Sequence, residues 1–341
     1  MELEDRIYKD QGENKEKEGK FYIKYFLEGL LSEKYVVKNT LESYELDLNQ
    51  LNKFLIKKNS SLITATKSDI DDYMQNFLYK QNYKAASISR KVSTMRHFYK
   101  FLFGDHIINT NPAKEQRNPK IVLSLPRYLA VDEMNLLLTT VRRLASMSLT
   151  NGKKNEIIGN KRLCAMLEML YSSGMRVSEL THIKLKDVLG LINTDNTDNK
   201  EYFITIGGKG GRERQVFLNE QAVKSLHDYL SVRSHFLTEG TQSEWLFPGN
   251  KKDHPITRQR IAQLLKSIAG KLGIKVSPHG IRNTIATHLL SEGEDIFRIM
   301  KMLGHSNVVT TQRYTHVANE ELKSQLLNLH PITEIVSDKN V

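Results

Sequence analysis

Six side chains in the C-terminal half of the chain are of types that can handle an anionic ester: Arg176, Lys209, His279, Arg282, His305 and Tyr314. Arginine forks bind oxyanions, histidine and lysine move protons, and a tyrosine becomes a nucleophile when its neighbours activate it. One at a time, their settings are weak. Arg176 follows the helix break Gly174-Met175 and shares a helix face with Glu179 at i, i+3, which by itself reads as a surface ion pair. Lys209 lies in the glycine-rich stretch Gly207-Gly208-Lys209-Gly210-Gly211, where glycine permits positive φ and close backbone approach to a ligand. No Ser or Thr follows that lysine and strands flank it, so it is not a P-loop, and a plain basic turn would read the same way.

Ser277-Pro278-His279-Gly280-Ile281-Arg282-Asn283 opens a helix, with serine as cap and proline in the first turn. His279 and Arg282 share one face near the N-terminus, where backbone N–H groups favour an anion. A capping segment with incidental side chains is the plain alternative. His305 follows the helix-ending Leu303-Gly304, a position that the helix dipole alone would favour. Tyr314 stands nine residues further on. A lone tyrosine is usually core or surface.

Other chemistries fit poorly. The histidine pairs 279/288 and 305/316 lack the i, i+4 spacing of a zinc helix, and no acidic cluster suits magnesium. The single cysteine, Cys164, excludes an internal disulfide framework, cysteine-based zinc sites and iron–sulfur clusters. No Gly-x-Ser-x-Gly elbow occurs.

The elements that must position these groups divide the 341 residues into parts. Residues 1–20, with seven acids and five bases and no apolar signal core, read as a charged, disordered tail. Residues 21–110 read as helices. Leu41, Tyr44, Leu48, Leu51 and Leu55 recur at helical spacing after Asn39 or Thr40; Ile70, Tyr73, Met74 and Phe77 do so after Ser68-Asp69, and Ile88, Val92, Met95, Tyr99 and Leu102 after Ser87. Pro112, Pro119 and Pro126 then mark a linker over 111–125. Residues 126–330 are mixed. A helix runs through Leu163, Met166, Leu167 and Leu170 to Gly174, and a short one follows near 176–184. A β-hairpin is expected from Tyr202–Ile206 and Gln215–Leu218, and further helices over about 219–236, 257–272, 278–291, 295–303 and 319–329. The segments 146–160 and 190–200 read as surface insertions, and 331–341 as a tail. The fold class is mostly α with a small β-sheet: an N-terminal helical domain and an α+β domain carrying the chemistry.

Charge points to a polyanion. The net charge is +11, and residues 80–127 hold ten Lys/Arg against Asp105 and Glu115. Such a concentration is the footprint of nucleic acid. Arg90, Lys91 and Arg96, on the helix through Ile88 and Leu102, are the candidate DNA-facing residues. No apolar run approaches the ~20 residues of a membrane-spanning helix.

Together the six residues stand in the order Arg…Lys…His-x-x-Arg…His…Tyr, behind a basic helical domain. The stretches GMRVSEL, GGKGGRERQVFL, SPHGIRNTIATHLL and LGHSNVVTTQRYTHV resemble the tyrosine recombinase (phage-integrase-type) family, and within it the bacterial Xer recombinases. The resemblance spans roughly residues 21–330. It implies a SAM-like core-binding domain and a catalytic domain closing on DNA as a C-shaped clamp. It implies that Arg176 and Arg282 clamp the scissile phosphate, Lys209 is the general acid, His279 the proton acceptor, His305 a further phosphate donor, and Tyr314 the nucleophile of a 3′-phosphotyrosyl intermediate. Glu179 matches the position supporting the first arginine. Asn283 departs from many relatives, which carry a second histidine there.

The resemblance further implies metal- and ATP-independent cutting and rejoining, in a cytoplasmic, nucleoid-associated enzyme that resolves chromosome dimers. The expected partners are double-stranded DNA at a specific site and a second Xer-type recombinase in a cyclic heterotetramer. Docking of the helix through Leu322, Leu326 and Leu329 on a neighbour would hold it together. A mobile-element integrase, a type IB-like topoisomerase and a non-catalytic architectural DNA-binding protein are the competing expectations.

Overall fold

The computed structural model describes residues 2–32, 38–120, 127–147, 154–192, 202–207, 213–237, 241–250 and 253–304. By its internal contacts the chain separates into two compact units, Met1–Leu123 and Ser124–Val341.

The first unit is helical: α1 (Glu2–Ser32), α2 (Lys38–Lys57), α3 (Lys67–Asp72), which continues as a wider π-helical stretch over Tyr73–Tyr79, and α4 (Ala85–Gly104). The apolar stripes of the sequence become its core: Leu48, Leu51, Leu55, Ile70, Tyr73, Ile88, Val92, Met95 and Leu102 are all buried. The N-cap of α3 is Thr66. The Asp69 N–H donates to Thr66 Oγ1 at 3.3 Å and the Thr66 N–H donates to Asp69 Oδ2 at 2.8 Å, a reciprocal capping box.

Residues 1–20 differ from expectation, because the backbone from Glu2 onward belongs to α1. Composition hides this helix, since its apolar anchors lie further along, at the buried Ile23 and Phe26. Those anchors hold one end, and propagation backward adds one hydrogen bond per residue fixed. Gly19 lies against the Asn52 amide, Lys15 Nζ donates to the Asn59 carbonyl at 2.6 Å, and Glu16 pairs with Lys20 at 2.6 Å.

The second unit carries α5 (Val131–Ala145), α6 (Lys154–Ser173), α7 (Val177–Thr181), α8 (Lys186–Ile192), β1 (Tyr202–Gly207), β2 (Glu213–Leu218), α9 (Glu220–Leu230), a 3₁₀ turn (Arg233–Phe236), α10 (Arg258–Lys271), α11 (Pro278–Ser291) and α12 (Ile296–Leu303). Helix α6 is the central element. It is buried almost continuously from Leu163 to Leu170 and packs between α5 and α9. It also starts earlier than expected: residues 154–160, read as part of an insertion, form its first two turns, anchored by the buried Ile157 and Ile158. Strands β1 and β2 pair antiparallel, with Tyr202 opposite Leu218 and Gly207 opposite Glu213. Ile204, Ile206, Val216 and Leu218 face the core, while Phe203 and Phe217 face outward. Among the described residues, no helix is long and apolar enough to cross a membrane.

Candidate active site

The site forms where α6 ends, α7 begins and α12 ends. Gly174 closes α6 with φ +61°, the left-handed conformation that glycine adopts without penalty. It also permits contact, since a Cβ on Gly174 would stand 2.7 Å from Leu303 Cδ2. The last turn of α12 therefore lies directly on the end of α6. Gly304 caps α12 in the same left-handed conformation, with φ +64°.

Arg282 ties these two ends together. Its Nη1 donates to the Gly174 carbonyl at 2.5 Å and its Nη2 to the Leu303 carbonyl at 2.6 Å. The side chain is 2% exposed. Charge-assisted bonds to two fixed carbonyls orient the guanidinium before any substrate arrives. Arg176, two residues after Gly174, is the N-cap of α7 and reaches the same place: its Nη2 donates to the Gly304 carbonyl at 3.3 Å. Two arginines far apart in sequence thus converge on the C-terminus of α12, whose partial negative charge favours cations.

Glu179 organises Arg176 from behind. Its Oε2 accepts the Arg176 backbone N–H at 2.7 Å, and its Oε1 accepts Arg176 Nη1 at 2.9 Å. Arg214, on β2, adds two parallel bonds, Nη1 to Oε1 and Nη2 to Oε2, both at 2.8 Å. Burial pushes the Glu179 carboxyl upward in pKa, but the Arg214 and Arg176 donors outweigh it and hold the group below the usual glutamate value. Glu179 is accordingly a buried, ionised carboxylate between two guanidinium groups.

His279 sits in the first turn of α11, exposed, behind the Ser277 cap, whose Oγ accepts the Gly280 N–H at 3.1 Å. Desolvation, then the charges of Arg282 and Arg176, lower its pKa below the ordinary imidazole value. At neutral pH the ring is neutral and able to accept a proton. Helix α11 is braced by the incoming chain: the Leu129 N–H donates to Thr284 Oγ1 at 2.9 Å, and His288 bridges the Leu129 carbonyl and the Tyr171 hydroxyl. Asn283 has a part in that brace, its Nδ2 lying 3.4 Å from the Arg127 carbonyl.

The structure therefore brings together Arg176, Glu179, His279 and Arg282. Lys209, His305, Tyr314 and the helix expected over 319–329 lie outside the described residues. Arg214 was missed by sequence reading. Its signal was the density of charge in Arg212-Glu213-Arg214, with nothing to say which residue points inward. A groove beside His279, lined by His182, Arg258, Gln259, Arg260 and Gln263, was missed as well.

In the first unit the three DNA-facing candidates separate. Lys91 is a correction: it is 6% exposed, donates to Asp47 Oδ1 at 2.8 Å and to the Gln50 side-chain Oε1, and lies over the Tyr83 ring. It is packed into the interior with its charge compensated by Asp47. Arg90 is exposed at its edge but also bonds Asp47 and the Ser43 carbonyl. Arg96 is exposed and lines a concave surface with His97, Lys100 and Lys114.

Comparison with known proteins agrees with this architecture. Residues 128–321 match the model of the phage integrase family, and residues 23–105 match the N-terminal SAM-like domain of phage integrases. The chain belongs to the phage integrase family, the tyrosine recombinases. It is 34% identical to the tyrosine recombinase XerD of Rhizobium meliloti (strain 1021), over 92% of this chain and 96% of that protein. It is 36% identical to XerD of Rickettsia bellii (strain RML369-C), over 92% and 99%. The tyrosine recombinase XerC of Staphylococcus saprophyticus is 34% identical, over 90% and 96%. Among solved structures, XerH site-specific recombinase in a post-cleavage complex with its difH substrate shares the fold, with a TM-score of 0.66 and 19% identity over 84% of this chain and 79% of that one.

Proposed function

We propose that this chain is a site-specific DNA recombinase of the Xer type, which cuts and rejoins duplex DNA and resolves chromosome dimers to monomers. The observation that carries the mechanism is the convergence of Arg176 and Arg282 on the α12 C-terminus, with His279 in the field of both.

The chemistry follows from these groups. Tyr314 Oη attacks the scissile phosphorus, the phosphorus–O3′ ester is kept, and the bond to O5′ breaks. The phenolic proton passes to neutral His279, and Lys209 protonates the departing 5′ oxygen. Charge that develops on the non-bridging oxygens is met by the forks of Arg176 and Arg282, with His305 adding a hydrogen bond. Pre-oriented donors of this kind act without reorganisation at the moment of reaction. The phosphotyrosyl ester conserves the bond energy, so rejoining by the reverse path needs no nucleotide. An ordinary tyrosine has a pKa near ~10 and is about one part in a thousand ionised at pH 7, so the proton acceptor and the cations are needed.

Phosphate contacts supply affinity. The Arg96–Lys100–Lys114 surface is the proposed DNA face of the first unit, and the Arg258–Arg260 groove that of the second. The proposed assembly is a cyclic tetramer with a second Xer-type recombinase, joined by exchange of the C-terminal helix.

The test is covalent trapping on nicked suicide DNA carrying a dimer-resolution site, in EDTA, comparing wild type with Tyr314→Phe. A covalent adduct formed by wild type and absent from the variant is expected. Tight binding without an adduct, even with the partner recombinase added, would leave a purely architectural role.

A further inference from the structure

We propose that Arg214 is a positioning residue: through Glu179 it holds Arg176 in place and preserves its charge for the phosphate. This rests on the assignment of Arg176 as a phosphate clamp.

A carboxylate offers about four lone-pair sites. Here four donors fill them: the backbone N–H and Nη1 of Arg176, and Nη1 and Nη2 of Arg214. The Glu179 side chain is 5% exposed, so water is poorly placed to replace a lost donor. Without Arg214, half of the bonds fixing this carboxylate disappear, and only the two donors of Arg176 itself, one of them the guanidinium to be positioned, are left to orient it.

Charge leads to the same conclusion. Arg176 and Glu179 alone are a neutral pair, with Arg176 facing a full carboxylate charge. Arg214 shares that carboxylate, so the trio carries a net positive charge. The Arg176 guanidinium, whose side chain is 39% exposed against 17% for Arg214, is the member able to meet an incoming anion.

Arg214 is itself seated firmly. A Cβ on Gly304 would lie 3.0 Å from each of its Cζ, Nε and Nη1, so the guanidinium face rests flat on the α12 cap. Among the described residues its buried Nε has no hydrogen-bond partner. Arg214 also stands opposite Ile206, one rung from the Gly207–Glu213 pair that ends the described ladder. One side chain thus joins the hairpin, the α12 cap and the support of Arg176.

The test is single-turnover cleavage of a suicide duplex by the full chain, with the dissociation constant for the same DNA measured separately. Variants are Arg214→Lys, Arg214→Gln, Arg176→Lys, Arg176→Ala and the double variant Arg176→Lys/Arg214→Lys. Arg214→Lys keeps the charge but cannot make the paired bonds, so it decides the matter if Arg214→Gln fails to fold. Misplacing a catalytic group by about 1 Å can cost 100-fold. The expectation is a cleavage rate about 10–100-fold lower for Arg214→Lys, with the dissociation constant within about two-fold. The double variant should be no slower than Arg176→Lys alone, because both changes remove one function. Losses that multiply in the double variant would overturn the proposal, since Arg214 would then act independently of Arg176. So would wild-type cleavage by Arg214→Lys, or a loss carried wholly by weaker DNA binding. Wild-type cleavage by Arg176→Ala would instead overturn the clamp assignment itself, and this inference with it.

Discussion

Gly174 and Leu303 touch so closely that a single methyl group on Gly174 would overlap the Leu303 side chain, and the carbonyls of the same two residues hold Arg282 between them. The packing contact and the orientation of the buried guanidinium are one feature. Substituting Gly174 tests it. Alanine there meets both a positive φ and a steric overlap, for which overpacking costs typically ~1–3 kcal/mol. Gly174→Ala is expected to lower the free energy of unfolding by that order and to slow cleavage more than it weakens DNA binding. A stable variant with a wild-type cleavage rate would sever packing from catalysis.

Removal of either clamp arginine should be costly and distinguishable. Loss of one oxyanion donor typically costs about 100–1,000-fold in rate. Arg176→Ala is expected to reach that range with little change in thermal midpoint, because Arg176 is half-exposed. Arg282→Ala should lose both activity and stability, since it leaves the Gly174 and Leu303 carbonyls short of a donor. Parallel cleavage and calorimetry on the two variants check this split.

His279 gives a pH prediction. Its folded pKa lies below the ordinary value, first through desolvation and then through Arg282 and Arg176. The ring therefore remains a proton acceptor at pH values where a free imidazole would already be charged. Cleavage is expected to hold as pH falls through the ordinary histidine range and to fail only below it. The same shift means that the unfolded chain takes up its proton first, so the His279 contribution to stability declines as pH drops from the unfolded pKa to the folded one. An NMR titration of the His279 ring giving a pKa at or above 6.5 would falsify this.

Glu179 loses its contribution in the same direction of pH, in a more acid range. Its folded pKa is depressed, so its stabilising contribution is complete above the unfolded glutamate value and is lost as pH falls through the folded one. Glu179→Gln should flatten the acid limb of the stability profile below about pH 4, near the reference glutamate value. An unchanged acid limb in that variant would contradict the ionised, doubly paired carboxylate.

Lys91 and Arg96 share a helix but should behave differently. Breaking a buried pair by removing one partner costs ~3–5 kcal/mol. Lys91→Ala, which leaves Asp47 with Arg90 and the Thr94 hydroxyl but without its buried cation, is expected to destabilise the protein by part of that amount. Arg96→Ala should leave stability within ~0.5 kcal/mol, weaken DNA binding, and reduce the salt slope of log K by about one. Urea unfolding and binding titrations at several salt concentrations measure both.

Much of this was legible in the sequence. The 3.6-residue stripes at Leu48–Leu55 and Ile88–Leu102 and the alternation in Tyr202–Ile206 fix local structure, because burying an apolar face leaves few choices for the chain. The glycines at 174 and 304, the Ser277-Pro278 start and the order of the candidate catalytic residues are also local properties of the chain. Helix α1 escaped notice because its charged half carries no stripe of its own, and the first turns of α6 because Ile157 and Ile158 sit among polar neighbours.

Tertiary structure decided the rest. Lys91 and Arg96 are both basic residues of α4, and composition cannot distinguish them; Asp47, on another helix, draws Lys91 inward because a buried charge persists only beside its counter-charge. The partnership of Arg214 with Glu179, and the meeting of Arg176 with Arg282 at α12, join segments distant in sequence through hydrogen bonds whose geometry exists only after the helices pack. The linear chain sets which groups the protein can use and in what order. Only packing, which fixes distances and burial that no linear pattern encodes, decided which charges face one another and which remain available to a phosphate.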